Sequence, residues 1–527
     1  MTNLNEKTPC FIDIHLHLDG SISVQTARRL AEMQGIAVPE SDEALLAMLS
    51  YTPDCKTLDD YLARFDFACS LLHNREALTI AAHDLLQRLK EQGLIYAEIR
   101  FAPQKSCGKN MTQRDAIEAV IEGLRSVDML SGLIVCMMRG TDTAAANIET
   151  VLLAEEYLGK GVVGIDLAGP EAMFPTHEYA DLLAMIHDKH IPVTVHAGEG
   201  RGADSVAETI ELGVTRLGHG VRALEDETVV ELLLEKNVTL DICPTSNIHT
   251  HIFPSYSAFP LREFLRRGIN VTLNTDNMTV SGVTLRDEWE RMCELNQLTK
   301  AEIRRILLNA VDACFASAET KQTLRRQVLD AYPSVYVLEI GDISEAECDG
   351  YLAQLPKWRR EKALKFKHFQ GRKECVMSFV LLQKALKEEF GVDCQNLAEG
   401  VEALAFEYGE HDKPSLKNFP DIHFNISHCK QAVACVVSKH PVGIDIESRG
   451  RYSAAVSSHV LNAVELESIR RADDIDAAFT ALWTKKEALL KLLGSGVSHE
   501  MKDVLLEHKD KKITTTECDG YVYSFAE

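Results

Sequence analysis

The sequence predicts an α/β protein: a (β/α)8 TIM-type barrel of parallel strands over residues 1–333, followed by a second, smaller unit over residues 334–527. Three observations carry this. Short β-branched or apolar runs that close on polar or glycine residues recur eight times between residues 11 and 277, amphipathic stretches separate them, and the alternation stops near residue 333. Strands alternating with helices imply parallel βα units, and eight of them in roughly 270 residues come close to the ~250 of a closed barrel. An open doubly wound sheet is the runner-up, but no GxGxxG follows the first run, so its nucleotide-binding fingerprint is missing. At 527 residues the chain also exceeds one ordinary hydrophobic core.

In order, the runs are 11–17, 95–103, 132–138, 162–169, 191–199, 216–220, 238–247 and 270–277. Between them, segments such as 112–124, 144–158, 177–188 and 204–212 return apolar residues at helical spacing. Leu58, Tyr61, Leu62 and Phe65 do the same before the second run, giving one apolar helix face of the kind that usually packs into a core. A composition of 46% hydrophobic and 26% charged residues is that of a globular protein, and 30 Gly with 15 Pro exclude a fibrous or disordered chain. No basic flank leads into an apolar segment, no apolar stretch reaches the ~20 residues of a membrane helix, and the 14 Cys form no CxxC pair. The expected location is therefore the cytoplasm, with reduced thiols and no membrane partner. A net charge of -23 argues against nucleic acid as a partner, because its phosphates reward clustered Lys and Arg.

Polar residues at the run ends carry the chemistry. His15 and His17 are two apart on the first run, so the period of a strand puts both imidazoles on one face. His196 and Glu199 end the fifth run, His219 the sixth and Asp276 the eighth. In a barrel the strand ends converge above one axis, so His15, His17, His196 and Asp276 can supply three nitrogens and one oxygen to a single ion, which suits zinc, iron or cobalt. A lone HxH pair is more often a hydrogen-bonded core feature; four strand ends with matching chemistry reverse that preference. The HxE…PCxxC pattern of cytidine-type zinc deaminases is absent.

The stretches His15-Leu16-His17-Leu18-Asp19-Gly20, Ile165-Asp166-Leu167-Ala168-Gly169, His196-Ala197-Gly198-Glu199, Leu217-Gly218-His219-Gly220, Cys243-Pro244-Thr245-Ser246-Asn247 and Asn274-Thr275-Asp276-Asn277 resemble, in order, the motifs of the adenosine deaminase family over residues 10–330. The resemblance implies metal ligation by His15, His17, His196 and Asp276, proton donation by Glu199, and His219 beside the activated water. It also implies purine contact through the Gly169 backbone, ribose contact at Asp19, and a pocket cover near residues 58–65. The physical chemistry agrees: a divalent ion lowers the pKa of water toward ~7 for attack at purine C6, and Glu199 is placed to protonate N1. The family's commonest form has a second Asp after Asp276; here Asn277 stands, whose amide can donate to purine N7 at any ordinary pH.

After residue 333 a new β run starts at Tyr336, and residues 357–373 hold eight Lys or Arg. On charge alone a solvated helix face and a phosphate site are equally good readings of that segment. Phe424-Asn425-Ile426-Ser427-His428, Val442-Gly443-Ile444-Asp445-Ile446-Glu447 and Trp483-Thr484-Lys485-Lys486-Glu487-Ala488-Leu489-Leu490-Lys491, with Lys413-Pro414 and Arg372 upstream, resemble the 4′-phosphopantetheinyl transferases, an α+β fold. That resemblance implies a Mg²⁺ site at Asp445, Glu447 and Glu487, coenzyme A as donor held by Arg372, His428 and Lys491, and a carrier protein as acceptor. Asp445 and Glu447 alternate on a strand and so point the same way, an arrangement that invites a cation.

The leading functional expectation is hydrolytic deamination of adenosine or 2′-deoxyadenosine, joined to transfer of phosphopantetheine. One rival keeps the barrel chemistry and takes adenine or another 6-aminopurine. A rival of another class makes the second unit a non-catalytic module that binds coenzyme A or a carrier protein.

Overall fold

A computed structural model describes residues 10–52, 64–108, 110–392, 404–409, 413–495 and 499–527. The chain divides into two compact units, Met1–Tyr332 and Pro333–Glu527. Among the described residues no helix is long and apolar enough to cross a membrane.

The first unit is an eight-stranded parallel sheet in strictly sequential order: β1 (Phe11–His17), β2 (Leu94–Phe101), β3 (Ser131–Met138), β4 (Val162–Ala168), β5 (Val193–Ala197), β6 (Arg216–His219), β7 (Thr239–Ile242) and β8 (Asn270–Leu273). The seam between β8 and β1 is bridged just beyond β8, where the His17 amide donates to the Asp276 carbonyl (2.7 Å) and the Asp276 amide to the His15 carbonyl (2.9 Å). The strands are buried almost throughout, as expected of a parallel sheet covered on both faces. Helices form where the apolar spacing predicts them. Gln113–Arg125 starts from a capping box between Thr112 and Asp115, and Ala144–Tyr157, Ala180–Asp188 and Ala203–Glu211 match the other three segments to within a few residues. Of the expected 58–65 face, Leu58, Tyr61 and Leu62 lie outside the described residues, while Phe65 opens the helix Phe65–Ser70.

One run departs from expectation. The seventh strand stops at Ile242 and residues Pro244–His249 turn into a helix. Proline has no N–H to give to a ladder and its fixed φ suits the first helical position, so Pro244 ends the strand five residues early by sequence count up to Asn247.

The barrel interior is charged. Glu98, Arg100, Asp166, Arg216 and Asp241 are all essentially inaccessible to solvent. Arg216 pairs with Glu98 (2.6 Å) and Asp241 (2.8 Å), Arg100 pairs with Asp166 (3.1 Å), and both guanidinium groups donate to the Ile14 carbonyl. Asp13 accepts from the amide and hydroxyl of Thr275, tying β1 to the residues that follow β8.

The second unit is α+β. One antiparallel sheet has the order β12 (His423–His428), β13 (Ala432–Ser438), β9 (Val335–Glu339); the other runs β14 (Gly443–Ser448), β16 (Tyr521–Ala526), β15 (Ile513–Glu517); β10 (Phe406–Tyr408) and β11 (Pro414–Leu416) form a short pair. A long helix lies on each larger sheet, Phe369–Phe390 on the first and Ile475–Leu493 on the second. The second contact is close because Gly443 has no side chain: a Cβ there would stand 2.0 Å from the Ala488 carbonyl oxygen. The Ile444 amide donates to the Asn425 side chain (2.9 Å), joining β14 to β12.

The charged interior makes a stability prediction. Replacing Arg216 by Met leaves Glu98 buried without its cation and takes from Asp241 the nearer of its two, Arg100 remaining at 3.8 Å, which is expected to cost about 3–5 kcal/mol. Denaturant unfolding of Arg216→Met should show this as a large drop in the midpoint of the barrel transition.

Candidate active sites

At the C-terminal end of the barrel, His15, His17, His196 and Asp276 each aim one ligand atom at a common point, all within 4.8 Å of one another. The His196 Nε2 lies 3.2 Å from His15 Nε2 and 3.3 Å from His17 Nε2, and the Asp276 Oδ1 lies 3.6 and 3.5 Å from the same two nitrogens. A tetrahedral ion with metal–ligand distances of about 2.0–2.1 Å requires edges of about 3.3 Å between ligands, so the four donors fit zinc or a similar ion. Burial, with the Arg100 charge and neighbouring rings, pushes the His15 imidazole well below its usual range, and burial and His196 do the same to His17; both favour the neutral form that ligates. Burial raises the Asp276 carboxyl to about 6, an effect that a cation beside it would reverse.

Backbone geometry explains how these groups converge. Asp276 and His219 both adopt left-handed conformations, φ 61° and 63°, rare for residues with side chains and typical of functional sites. Gly218 leaves room for the ligand ring, since a Cβ there would come within 2.8 Å of His15 Cε1. Gly20 does the same for Asn277, whose Oδ1 would lie 1.9 Å from an added Cβ.

Glu199 and His219 stand beside the cluster, Glu199 Oε2 being 3.6 Å from His219 Nε2. Burial raises the Glu199 carboxyl well above the usual carboxylate range, and Asp276 and Glu171 add to the effect, which favours its protonated form. A cavity of about 910 Å³ opens in front of these residues, and its lining includes Asp19, Gly169, Asn277 and Phe65. Of the barrel residues expected at the site, His17, Asp19, Gly169, His196, Glu199, His219, Asp276 and Asn277 line this cavity, and His15 stands behind them in the donor cluster.

Several supporting residues escaped the sequence reading. Asp166 takes the Nδ1 side of His196 (3.0 Å), leaving Nε2 for the common point, and Ser246 donates to Asp276 Oδ2 (2.6 Å). The Asn247 amide nitrogen is 3.1 Å from His219 Nδ1. Arg139 donates to the His196 carbonyl (2.8 Å), and Glu171 accepts from the backbone of the loop that carries Glu199. Ser246 and Asn247 reach inward because Pro244 starts a helix; periodicity alone carried no sign of that. Asp166 lay within a recognised motif without a role.

In the second unit, Asp445 and Glu447 lie on β14 and Glu487 on the Ile475–Leu493 helix. The three carboxylates are not among the groups of described residues whose ligand atoms fall within 4.8 Å. Asp445 Oδ1 instead meets the Lys491 ammonium (2.6 Å) and the Ser427 hydroxyl (2.8 Å), its Oδ2 is buried without a hydrogen bond, and Glu447 pairs with Arg451. Arg372 pairs with Glu345 and Asp349, and His428 Nδ1 is 3.4 Å from Glu374. The basic run is not a uniformly solvated face: Arg359 donates to the Cys375 carbonyl and Lys373 to the Gly341 carbonyl. Lys413 donates to the carbonyls of Lys491 and Leu492 at the end of the Ile475–Leu493 helix, a position that favours a cation.

Comparison with known proteins agrees with this division. The adenosine deaminase family model matches residues 11–331, and the 4′-phosphopantetheinyl transferase superfamily model matches residues 441–525. An adenosine deaminase of Haemophilus ducreyi is 44% identical over 333 residues, 62% of this chain and 97% of its own. One from Enterococcus faecalis is 38% identical over 325 residues, 61% and 96%. Among solved structures, the adenine deaminase of Arthrobacter aurescens is similar with a TM-score of 0.55 at 25% identity, covering 61% of this chain and 98% of that one. The Arabidopsis N6-mAMP deaminase gives 0.53 at 26%, covering 60% and 96%.

Glu447 supplies a pH test. Burial, then the Asp445 charge, raises its carboxyl from 4.5 to about 7. The folded unit therefore binds this proton more tightly than the unfolded chain, a stabilisation present below pH 4.5 and lost as pH rises through 7. Thermal unfolding across that window should show a smaller decline for Glu447→Gln than for the parent chain.

Proposed function

The chain belongs, over residues 11–331, to the adenosine deaminase family, and on that premise we propose that the first unit hydrolyses the 6-amino group of adenosine or 2′-deoxyadenosine, releasing ammonia and leaving inosine or 2′-deoxyinosine. The observation that carries this reading is the four-donor cluster with Glu199 and His219 beside it at the edge of one cavity. His15, His17, His196 and Asp276 hold the ion, zinc or iron, which when bound supplies the Lewis acidity that makes water nucleophilic at neutral pH. Glu199 gives its proton to N1 as water adds at C6, so the purine becomes a tetrahedral adduct rather than an anion. His219 and Asp276 orient the water, and the proton it loses goes to the departing amine. The Gly169 backbone, Asp19 and Asn277 bind purine and ribose. Relatives 38–44% identical that bear the adenosine deaminase name favour the nucleoside over free adenine.

The second unit, in this reading, transfers 4′-phosphopantetheine from coenzyme A to a carrier-protein serine, with the superfamily match over 441–525 as support. The serine oxygen forms the new bond to the phosphorus bearing pantetheine, and the bond from that phosphorus to the nucleotide breaks. Asp445, Glu447 and Glu487 offer oxygens that suit Mg²⁺. Lys491, Arg372 and His428 are the groups that would meet phosphate oxygens.

Glu199→Gln should keep its metal and lose roughly 10²–10⁴-fold in ammonia release from adenosine, because a proton supplied in the transition state is gone. His196→Ala should lose metal and activity together; metal analysis beside the ammonia assay distinguishes the two. Glu487→Ala should abolish transfer of labelled phosphopantetheine to a carrier protein while adenosine turnover stays at the parent level, since the two sites share no residue.

A further inference from the structure

We infer that Glu171 is the positioning residue that aims Glu199, an inference that rests on the deaminase reading above. Glu171 lies in the loop after β4, two residues beyond Gly169, and is 2% exposed. It is absent from the lining of the cavity. Its carboxylate accepts four consecutive backbone amides from the loop after β5: Gly198 (2.7 Å), Glu199 (3.0 Å), Gly200 (2.7 Å) and Arg201 (3.2 Å). The Ser205 hydroxyl completes the set.

Four successive amides can point at one carboxylate only if the chain curls tightly. Gly198 makes the curl with φ 69°, and Gly200 packs close, a Cβ there standing 3.4 Å from Glu171 Cβ. Glu199 has its own backbone amide in the set, while its carboxyl shows no hydrogen bond among the described residues, His219 Nε2 lying 3.6 Å away. The direction of the proton donor is therefore set by its backbone, and that backbone is held by Glu171. The same carboxylate also ties the loop proposed to bind the purine, through Gly169, to the loop that delivers the proton. Proton transfer needs reacting atoms held to within a fraction of an ångström, and a 1 Å error costs about 10²-fold in rate.

The test is a double-mutant cycle in the full-length, metal-loaded enzyme, with kcat and KM for adenosine read by ammonia release and metal content measured on each sample. Glutamine at 171 keeps the size of the side chain but replaces one acceptor oxygen by an amino group that opposes the backbone amides. Glu171→Gln should lower kcat about 10²-fold, leave KM within about 3-fold and retain its metal. Once Glu199 is already Gln, adding Glu171→Gln should cost no more than about 3-fold, since a residue that acts through another has nothing left to act on. A full second loss in the double variant, unchanged kcat in the single variant, or a rise in KM alone would each overturn the assignment. Should Glu171→Gln not fold, Glu171→Asp, which keeps both oxygens but is one methylene short, runs the same cycle with the same criteria. If Glu199→Gln itself turns over adenosine normally, the deaminase reading fails, a result separate from failure of the cycle.

Discussion

Two backbone hydrogen bonds, between Asp276 and the residues His15 and His17 of β1, are the constraint on which the site depends. They bridge the last gap of the barrel and place three of the four clustered donors in one stroke, because the bonded residues are the donors. Asp276 meets this demand in a left-handed conformation, a local strain that the surrounding bonds from Thr275 to Asp13 and from Ser246 to Asp276 hold in place. His196 completes the set from across the barrel, its ring turned by Asp166.

A layer of buried charge lies beneath the donors on the intervening strands, with Glu98 and Arg100 on β2, Asp166 on β4, Arg216 on β6 and Asp241 on β7. Arg100 and Arg216 both reach the Ile14 carbonyl, next to His15, and each is neutralised by carboxylates that are themselves out of contact with water. Burial works against ionisation of Asp166, but His196 and Arg100 overcome it and hold the carboxyl below its usual range. Such a floor is an expensive way to fill a barrel, since each charge must be paired; what it provides is a rigid, polar support for imidazoles that must stay neutral and correctly turned. Glu199, outside that floor and desolvated, is shifted the opposite way, toward its protonated form.

Much of this was legible in the sequence, and for a physical reason. Strand and helix periods differ, so eight alternations expose a barrel, and polar residues at four of the run ends converge by topology alone. His15, His17, His196, Glu199, His219 and Asp276 were found in that way. What periodicity could not reveal were contacts made across loops: Glu171 looks like any acidic residue after a glycine and a proline, and its amide partners are backbone groups that no side-chain pattern records. Ser246 and Asn247 were placed on a strand because β7 reads as continuous, whereas Pro244 breaks it. In the second unit the carboxylates were visible, but the attachment of Lys491 to Asp445 joins a helix to a strand 46 positions earlier and has no local signature.

The seam also has a meaning in time. His15 and Asp276 are separated by most of the first unit, so the contact between them is among the longest-range in the chain and is closed only after a large loop entropy has been overcome. A nascent chain leaving the ribosome presents the two histidines of β1 early, as an incomplete pair exposed to whatever ions the cell contains. The full donor set does not exist until residue 276 has emerged and joined β1. Only then does the cluster present a four-donor geometry, which as well as ligand type can discriminate among metals.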